Sequence, residues 1–103
     1  MKKKSTPKLV TKEKLILQLY VSGMSSKSME AIANIKRLCD EYLNDAFELE
    51  IIDIYKNPEV AVEQHIVFSP SLIKRLPLPR KTLIGTLSDT QKVVKALGIS
   101  FKK

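Results

Sequence analysis

The first half of the chain contains an apolar run, an amphipathic segment and an alternating segment in succession, and this order limits the possible folds. Residues 14–21 are mostly apolar, which is typical of a strand covered on both faces of a sheet. Over residues 25–43, apolar side chains recur at steps of three and four, which predicts an amphipathic helix. Residues 47–54 begin with strict alternation, so we predict a βαβ unit with two parallel strands. The buried side of the helix is expected to carry Met29, Ile32, Ile35, Cys39 and Tyr42.

The second half places three of the chain's five prolines within ten residues, at Pro70, Pro77 and Pro79. Proline fixes φ and lacks a backbone N–H, so it is poorly tolerated inside helices and central strands. We predict that a cis bond before Pro70 turns the chain into a strand over residues 71–76. The other two prolines then occupy a hairpin connection, and residues 81–84 form the returning strand.

Two further helices are predicted in the second half. Asn57 is a suitable N-cap and Pro58 suits the first helical position, so a short helix is expected to begin there. Ser88 and Gln91 have the spacing of a capping box, and Gly98 is a suitable end for the last helix. The order is then β-α-β-α-β-β-α, an α/β architecture with a mixed four-stranded sheet flanked by helices. This is the order of the thioredoxin-like fold.

Positive charge is concentrated at the ends of the chain. The net charge is +7, but residues 1–14 carry a net +5 and residues 102–103 carry the other two charges, so the body is neutral. A face that binds nucleic acid should remain in the folded domain, so this distribution argues against a nucleic-acid partner. Binding of DNA or RNA through residues 1–14 remains an alternative.

The length of 103 residues predicts one domain. We divide the chain into a basic flexible tail (residues 1–13), one domain (residues 14–99) and a basic stub (residues 100–103). No apolar run approaches the roughly 18–20 residues that span a bilayer, and the N-terminus lacks the apolar stretch of a signal peptide. A single cysteine cannot form an internal disulfide, so we expect a reducing cytoplasm.

The sequence offers no convincing catalytic or metal site. A thioredoxin-type oxidoreductase needs a C-x-x-C motif at the start of the first helix, and residues 23–28 contain no cysteine. Cys39 is predicted to be a small buried hydrophobe. His65 is the only histidine and is expected at the surface or in a cap. Asp53 at a strand end could be a catalytic base, but nothing nearby in the sequence forms a nucleophile or an acid partner for it. We therefore predict a binding protein without catalytic residues, metal or cofactor; a redox or glutathione-dependent enzyme without the usual C-x-x-C is the alternative.

Five short segments resemble signatures of the KaiB family of circadian-clock proteins, and they keep the family's order over about residues 14–97. The first resembles K-L-Y-V-A-G, the second V-I-D-V-x-K-N-P, the third T-P-T-L, the fourth L-P-x-P-x-R and the fifth I-G-D-L-S. In this chain they are residues 17–23, 52–58, 69–72, 76–80 and 84–88.

The resemblance implies a non-enzymatic partner of KaiC-like proteins, which are hexameric RecA-type ATPases and autokinases of the P-loop class. Docking on the ATPase ring would change its phosphorylation state, in a circadian or stress-adaptation system. The resemblance also implies a metamorphic chain, with a ground-state fold that is often tetrameric and a thioredoxin-like fold that binds the partner. A dimer or tetramer is therefore a further expectation.

The resemblance also suggests which residues contact the partner. Lys56 and Asn57 match the K-N-P motif, Arg80 is taken as the counterpart of the arginine of L-P-x-P-x-R although it stands one position earlier, and Lys81 is added for its charge. Pro70 is expected to be a structural cis-proline. The chain departs from the family pattern at Thr86, which stands where I-G-D-L-S has an acidic residue.

Overall fold

The computed structural model describes residues 14–43 and 46–99; the predicted tail and the C-terminal stub lie outside them. The described residues follow the predicted order β-α-β-α-β-β-α. The elements are β1 (Leu15–Val21), α1 (Ser26–Tyr42), β2 (Phe47–Asp53), α2 (Pro58–Glu63), β3 (Ser71–Leu76), β4 (Lys81–Ile84) and α3 (Thr90–Leu97).

The four strands form one mixed sheet in the order β2-β1-β3-β4. Strand β1 is parallel to β2, as the predicted βαβ unit requires, and antiparallel to β3. Strands β3 and β4 form the predicted antiparallel hairpin. One end of the sheet therefore gathers the ends of β1, β2 and β4 with the start of β3, and we call it the upper end.

The two faces of the sheet are covered differently. On one face, leucines and valines of β1 and β3 pack with α1 and α3 into a single apolar core. Burying each such side chain stabilises the fold by about 1.5–3 kcal/mol. The opposite face, which we call the second face, carries alternate residues of the same strands, and among the described residues it faces the end of α2 and the loop that follows it. These second-face residues include Gln18, Tyr20, Ser71, Ile73 and Arg75.

The predicted buried side of helix α1 is correct except at Met29. Ile35 and Cys39 are buried, and Ile32 and Tyr42 pack partly buried against the core. The buried residues of α1 are Ser28, Ala31, Ile35, Leu38 and Cys39, whereas Met29 is 46% exposed. The cause is the hydroxyl of Ser28, which lies inside and accepts a hydrogen bond from the backbone N–H of Ser22 at 3.0 Å. Since successive helical residues are about 100° apart, an inward Ser28 turns Met29 toward solvent. The prediction that Met29 is a core residue was wrong.

The caps of the other helices differ in detail from the predictions. The N-cap of α3 is Asp89, whose carboxylate accepts from the N–H of Lys92 at 3.2 Å, so the predicted Ser88 capping box was wrong. Aspartate and serine cap equally well, and the helix starts one residue later. Asn57 is the N-cap residue of α2, but its side chain makes no cap hydrogen bond. Gly98 ends α3 in the left-handed conformation, as predicted (φ 73°).

All three prolines of the second half follow cis peptide bonds. The Ser69–Pro70 bond is cis, as predicted, and so are the Leu76–Pro77 and Leu78–Pro79 bonds, which the sequence patterns did not predict. Among the residues that the structure describes, no helix is both long and apolar enough to cross a membrane.

Candidate partner-binding surface

Lys56 and Asn57 lie in the tight turn that follows β2 at the upper end of the sheet. The carbonyl of Asp53 accepts from the backbone N–H groups of Lys56 (3.1 Å) and Asn57 (3.0 Å). It also accepts from the side-chain amide of Asn57 at 3.2 Å. Asn57 therefore shapes the turn, while the side chain of Lys56 is exposed.

Arg80 and Lys81 lie at the other end of the sheet, where the proline turn leads into β4. Both side chains are exposed. Lys81 is opposite Lys74 in the β3–β4 ladder, which brings a second cation close to it. Within residues 14–43 and 46–99 the one ion pair joins Lys14 to Glu48 at 3.5 Å. Neither Arg80 nor Lys81 therefore forms an ion pair with an acidic side chain of these residues.

The four predicted contact residues do not form one patch. Lys56 and Asn57 follow the edge strand β2 at the upper end, whereas Arg80 and Lys81 begin the opposite edge strand, β4, at the lower end. Three strand spacings and about five residues along a strand separate the two pairs by roughly 20 Å. The structure thus brings the residues together in pairs, at opposite corners of the sheet.

A groove of about 520 Å³ lies on the second face between the loop after α2 and the β3–β4 hairpin. Its walls carry large apolar side chains that are exposed to solvent. Val67, Phe68 and Ile84 are 79%, 59% and 60% exposed. Ile73 lines it and is 1% exposed. We call it the cationic groove, because Arg80 lines it and none of its lining residues is acidic. The lining residues are Gln64, His65, Ile66, Val67, Phe68, Ser71, Ile73, Arg80, Thr82 and Ile84.

A polar network crosses the second face beside the groove. The guanidinium of Arg75 donates to the side-chain oxygens of Gln18 and Gln64, and to the hydroxyl of Tyr20 at 3.4 Å. The amide of Gln18 in turn donates to Glu50 at 3.0 Å. Arg75 is therefore engaged within the fold, which leaves Arg80 as the arginine that lines the groove.

The upper end of the sheet holds hydroxyls where a redox enzyme of this fold would hold thiols. Ser25 caps α1, and its hydroxyl lies 2.9 Å from that of Ser28, in the four-residue spacing of a C-x-x-C motif. The hydroxyls of Ser22 and Ser69 meet at 2.7 Å, beside Pro70. A hydroxyl cannot form a disulfide, so dithiol chemistry has no reactive group at this position.

Cys39 is too enclosed to replace those thiols. It is fully buried in the core on α1, as predicted. Burial first, and the nearby carboxylate of Asp40 second, raise the pKa of its thiol to about 11. The thiolate is therefore scarce at neutral pH. In residues 14–43 and 46–99 no three His, Cys, Asp or Glu side chains cluster in a way that could hold a metal ion.

Several exposed apolar residues could not be identified from the sequence patterns. Met24 is 81% exposed at the upper end, and Tyr55, whose ring lies near Gly23, is 73% exposed. Phe68 and Ile84 were not singled out either, because they are sixteen residues apart in the chain and meet only through the hairpin. The excess of basic over acidic residues after residue 65 was the one signal for this surface.

Residues 18–99, which contain most of this fold and these motifs, match the family model of the KaiB domain. This chain belongs to the KaiB family. The KaiB match spans every described element from the middle of β1 to the end of α3, which confirms the resemblance inferred from the five short segments.

Relatives of the KaiB chain are named as circadian clock proteins rather than as enzymes. The chain is 45% identical to circadian clock protein KaiB3 of Synechocystis sp. over 86 residues, which are 84% of each protein. It is 36% identical to the circadian clock oscillator protein KaiB of Microcystis aeruginosa over 94 residues, 91% of this chain and 90% of the relative. The prediction of a non-enzymatic protein agrees with both.

Solved structures confirm the thioredoxin-like fold. The N-terminal domain of SasA from Synechococcus elongatus superposes with a TM-score of 0.69 at 23% identity, covering 91% of this chain and 90% of that domain. Chloroplastic thioredoxin z superposes with a TM-score of 0.71 at 13% identity, covering 86% and 80%. At such identities the likeness concerns the fold alone.

Proposed function

We propose that this chain is a non-enzymatic regulator that binds a KaiC-like hexameric ATPase of the RecA type and alters the phosphorylation state of that ATPase, in a circadian or stress-adaptation system. The observation that carries the proposal is the cationic groove, which combines exposed apolar side chains with an arginine that has no described counter-charge. A KaiB-family chain with such a groove has a surface suited to a protein partner.

The chemistry of the groove defines the partner surface that would fit it. Apolar side chains such as Phe68 and Ile84 gain free energy when a partner covers them, at roughly 25 cal/mol per Å² of apolar area. Cations at the rim orient a partner that carries carboxylates, and they speed its association. The ATPase is therefore expected to present a segment with both apolar and acidic side chains.

Lys56, Asn57, Arg80 and Lys81 are the proposed contact residues. Arg80 lines the groove and Lys81 is its neighbour in the chain, whereas Lys56 and Asn57 would make a second contact at the opposite corner. A ring of ATPase domains is wide enough to cover both corners, which are roughly 20 Å apart. Asn57 contributes by shaping the turn that presents Lys56.

Recovery of the partner from cell extract tests the proposed class. The tagged chain is used to capture proteins from its own cytosol, first with ATP and then with ADP. We expect to recover a hexameric P-loop ATPase whose phosphorylation state changes when the chain is added. Recovery of nucleic acid, or no P-loop ATPase under either nucleotide, would contradict the proposal.

Calorimetry with variants then tests the groove. Phe68→Asp and Ile84→Asp place a charge among its apolar walls and should each weaken binding of the captured ATPase at least tenfold. Val62→Asp is the matched control, because Val62 is 75% exposed on α2 and does not line the groove. Equal losses in the variants and the control would remove the groove from the interface.

Two further expectations belong with this proposal. We place the protein in the cytoplasm, where its single cysteine stays reduced. A homo-oligomer, either dimer or tetramer, is expected from the family resemblance. Light scattering of the purified chain over a range of concentrations measures its mass and tests this expectation.

A further inference from the structure

Helix α2 differs from the other two helices because it buries no side chain against the rest of the protein. None of its six residues is buried, whereas α1 and α3 both bury apolar side chains in the core. Burial of apolar area is the main force that holds a helix against a sheet. That force contributes little to α2 itself.

Polar contacts hold the segment around α2 instead. We call residues 57–68 the strap. At its start the amide of Asn57 donates to the carbonyl of Asp53, and past the end of α2 the guanidinium of Arg75 donates to Gln64. The backbone at His65 is left-handed (φ 56°), a conformation that costs energy for a residue other than glycine. The closed strap therefore combines weak attachment with local strain.

The strap covers two buried side chains that lie outside the main core. Tyr20 and Ile73 are each 1% exposed, yet they lie on the second face and are not members of the apolar core between the sheet and helices α1 and α3. Ile73 lines the cationic groove together with strap residues Gln64 to Phe68. Tyr20 contacts Arg75, which also holds Gln64.

We propose that the strap opens as one unit while the sheet, α1 and α3 stay folded, and that the Arg75–Gln64 contact is the latch of this opening. Segments with few buried apolar contacts and solvent-accessible hydrogen bonds open at lower free energy than the core. Opening removes one wall of the groove and uncovers Tyr20 and Ile73. This inference does not depend on which partner the groove binds.

Amide hydrogen exchange measured by NMR tests the separate opening. The probes are the N–H groups of Gln64 and Ile66, which donate to Val60 and Ala61, and the N–H of Leu19 in the central strand reports on the sheet. In the wild-type chain we expect Gln64 and Ile66 to be protected at least tenfold less than Leu19. Equal protection of all three would overturn the proposal, because the strap would then open only when the whole domain unfolds.

Two variants test the latch. Gln64→Ala should speed exchange at Ile66 by at least about tenfold and leave Leu19 unchanged, since a hydrogen bond to a charged group is lost. Glu63→Ala is the matched control, because Glu63 is the exposed neighbour of Gln64. The same exchange at Ile66 in both variants, or equal acceleration at Ile66 and Leu19, would overturn the assignment of the latch.

A cysteine probe tests the uncovering of the second face. In a Cys39→Ala background, an Ile73→Cys thiol should react with a maleimide faster when Gln64→Ala is added, by about the same factor as the exchange at Ile66. If the labelling rate stays constant while exchange at Ile66 rises, the strap opens without uncovering Ile73 and that part of the proposal is wrong.

Discussion

The carboxylate of Asp53 accepts a hydrogen bond at 3.0 Å from the backbone N–H of Gly23, thirty residues earlier in the chain. The same oxygen accepts from the N–H of Tyr55 at 2.9 Å. Gly23 has φ 58°, and a side chain there would come within 3.1 Å of the ring of Tyr55. Asp53 therefore joins the loop after β1 to the turn that presents Lys56, which explains this acidic residue without a catalytic role.

Replacing Asp53 should lower stability in a graded manner. Asp53→Ala leaves two backbone N–H groups without their acceptor and should reduce the free energy of unfolding by about 1–3 kcal/mol. Asp53→Asn retains an acceptor oxygen and should lose less than half as much. Urea unfolding followed by circular dichroism measures both. Equal stability of Asp53→Ala and the wild-type chain would contradict the structural role.

Charge reversal at the two corners of the sheet should weaken binding of the ATPase additively. Lys56→Glu and Arg80→Glu together should cost more than ~1.4 kcal/mol of binding free energy, a tenfold change in affinity. Because the corners are roughly 20 Å apart, the double variant should equal the sum of the singles within about 0.5 kcal/mol. Calorimetry on the captured ATPase measures all three. Unchanged affinity with an intact fold would remove both residues from the interface.

The buried thiol of Cys39 should make stability depend on alkaline pH. Its pKa is raised from 9.0 to about 11 in the folded chain, first by burial and then by Asp40. The thiolate therefore forms more readily in the unfolded chain, so the free energy of unfolding should fall as the pH rises from 9 to 11. Cys39→Ala should show a shallower fall over this range and the same pH dependence as the wild-type chain below pH 9. Parallel curves at all pH values would show that the thiol titrates alike in both states.

Leu87 combines a buried side chain with a left-handed backbone, and this predicts an unusual order of variants. It is 8% exposed and has φ 63°. Leu87→Ala removes core contacts but keeps the backbone strain, and it should cost about 2–4 kcal/mol. Leu87→Gly loses the same contacts and relieves the strain, so it should be the more stable of the two by about 1 kcal/mol. Thermal or urea unfolding compares them, and a less stable glycine variant would contradict this account.

The strands, the parallel β1–β2 pair and the β3–β4 hairpin could be predicted from the sequence because local patterns indicate them. The bounds of β3 and β4 match the prediction at both ends, since prolines and Gly85 leave little freedom there. The exposure of Met29 on α1 could not be predicted in the same way. Periodicity gives the spacing of an apolar side but not which polar residue joins it, and here Ser28 lies inside because Ser22 needs its hydroxyl.

The candidate surface was harder to predict than the fold. The four contact residues came from motif resemblance, and their separation into two corners depends on the strand order, which local patterns do not encode. The cationic groove joins Phe68 to Ile84 across a hairpin, and the latch joins Gln64 to Arg75 between a helix end and a strand. These pairs of residues come together only through tertiary packing. A pattern read from residues that are neighbours in the sequence therefore cannot predict them.

The central position of β1 also has a consequence during synthesis on the ribosome. Strand β1 is the first to be made, and it pairs with β2 on one side and with β3, the third strand, on the other. A nascent chain that ends before Ser71 leaves one edge of β1 without a partner, and α3, which closes the apolar core, is made last. Pairings between distant parts of a chain form slowly. The domain thus completes its fold only after α3 has been made, and until then an apolar strand must be kept from pairing with other chains.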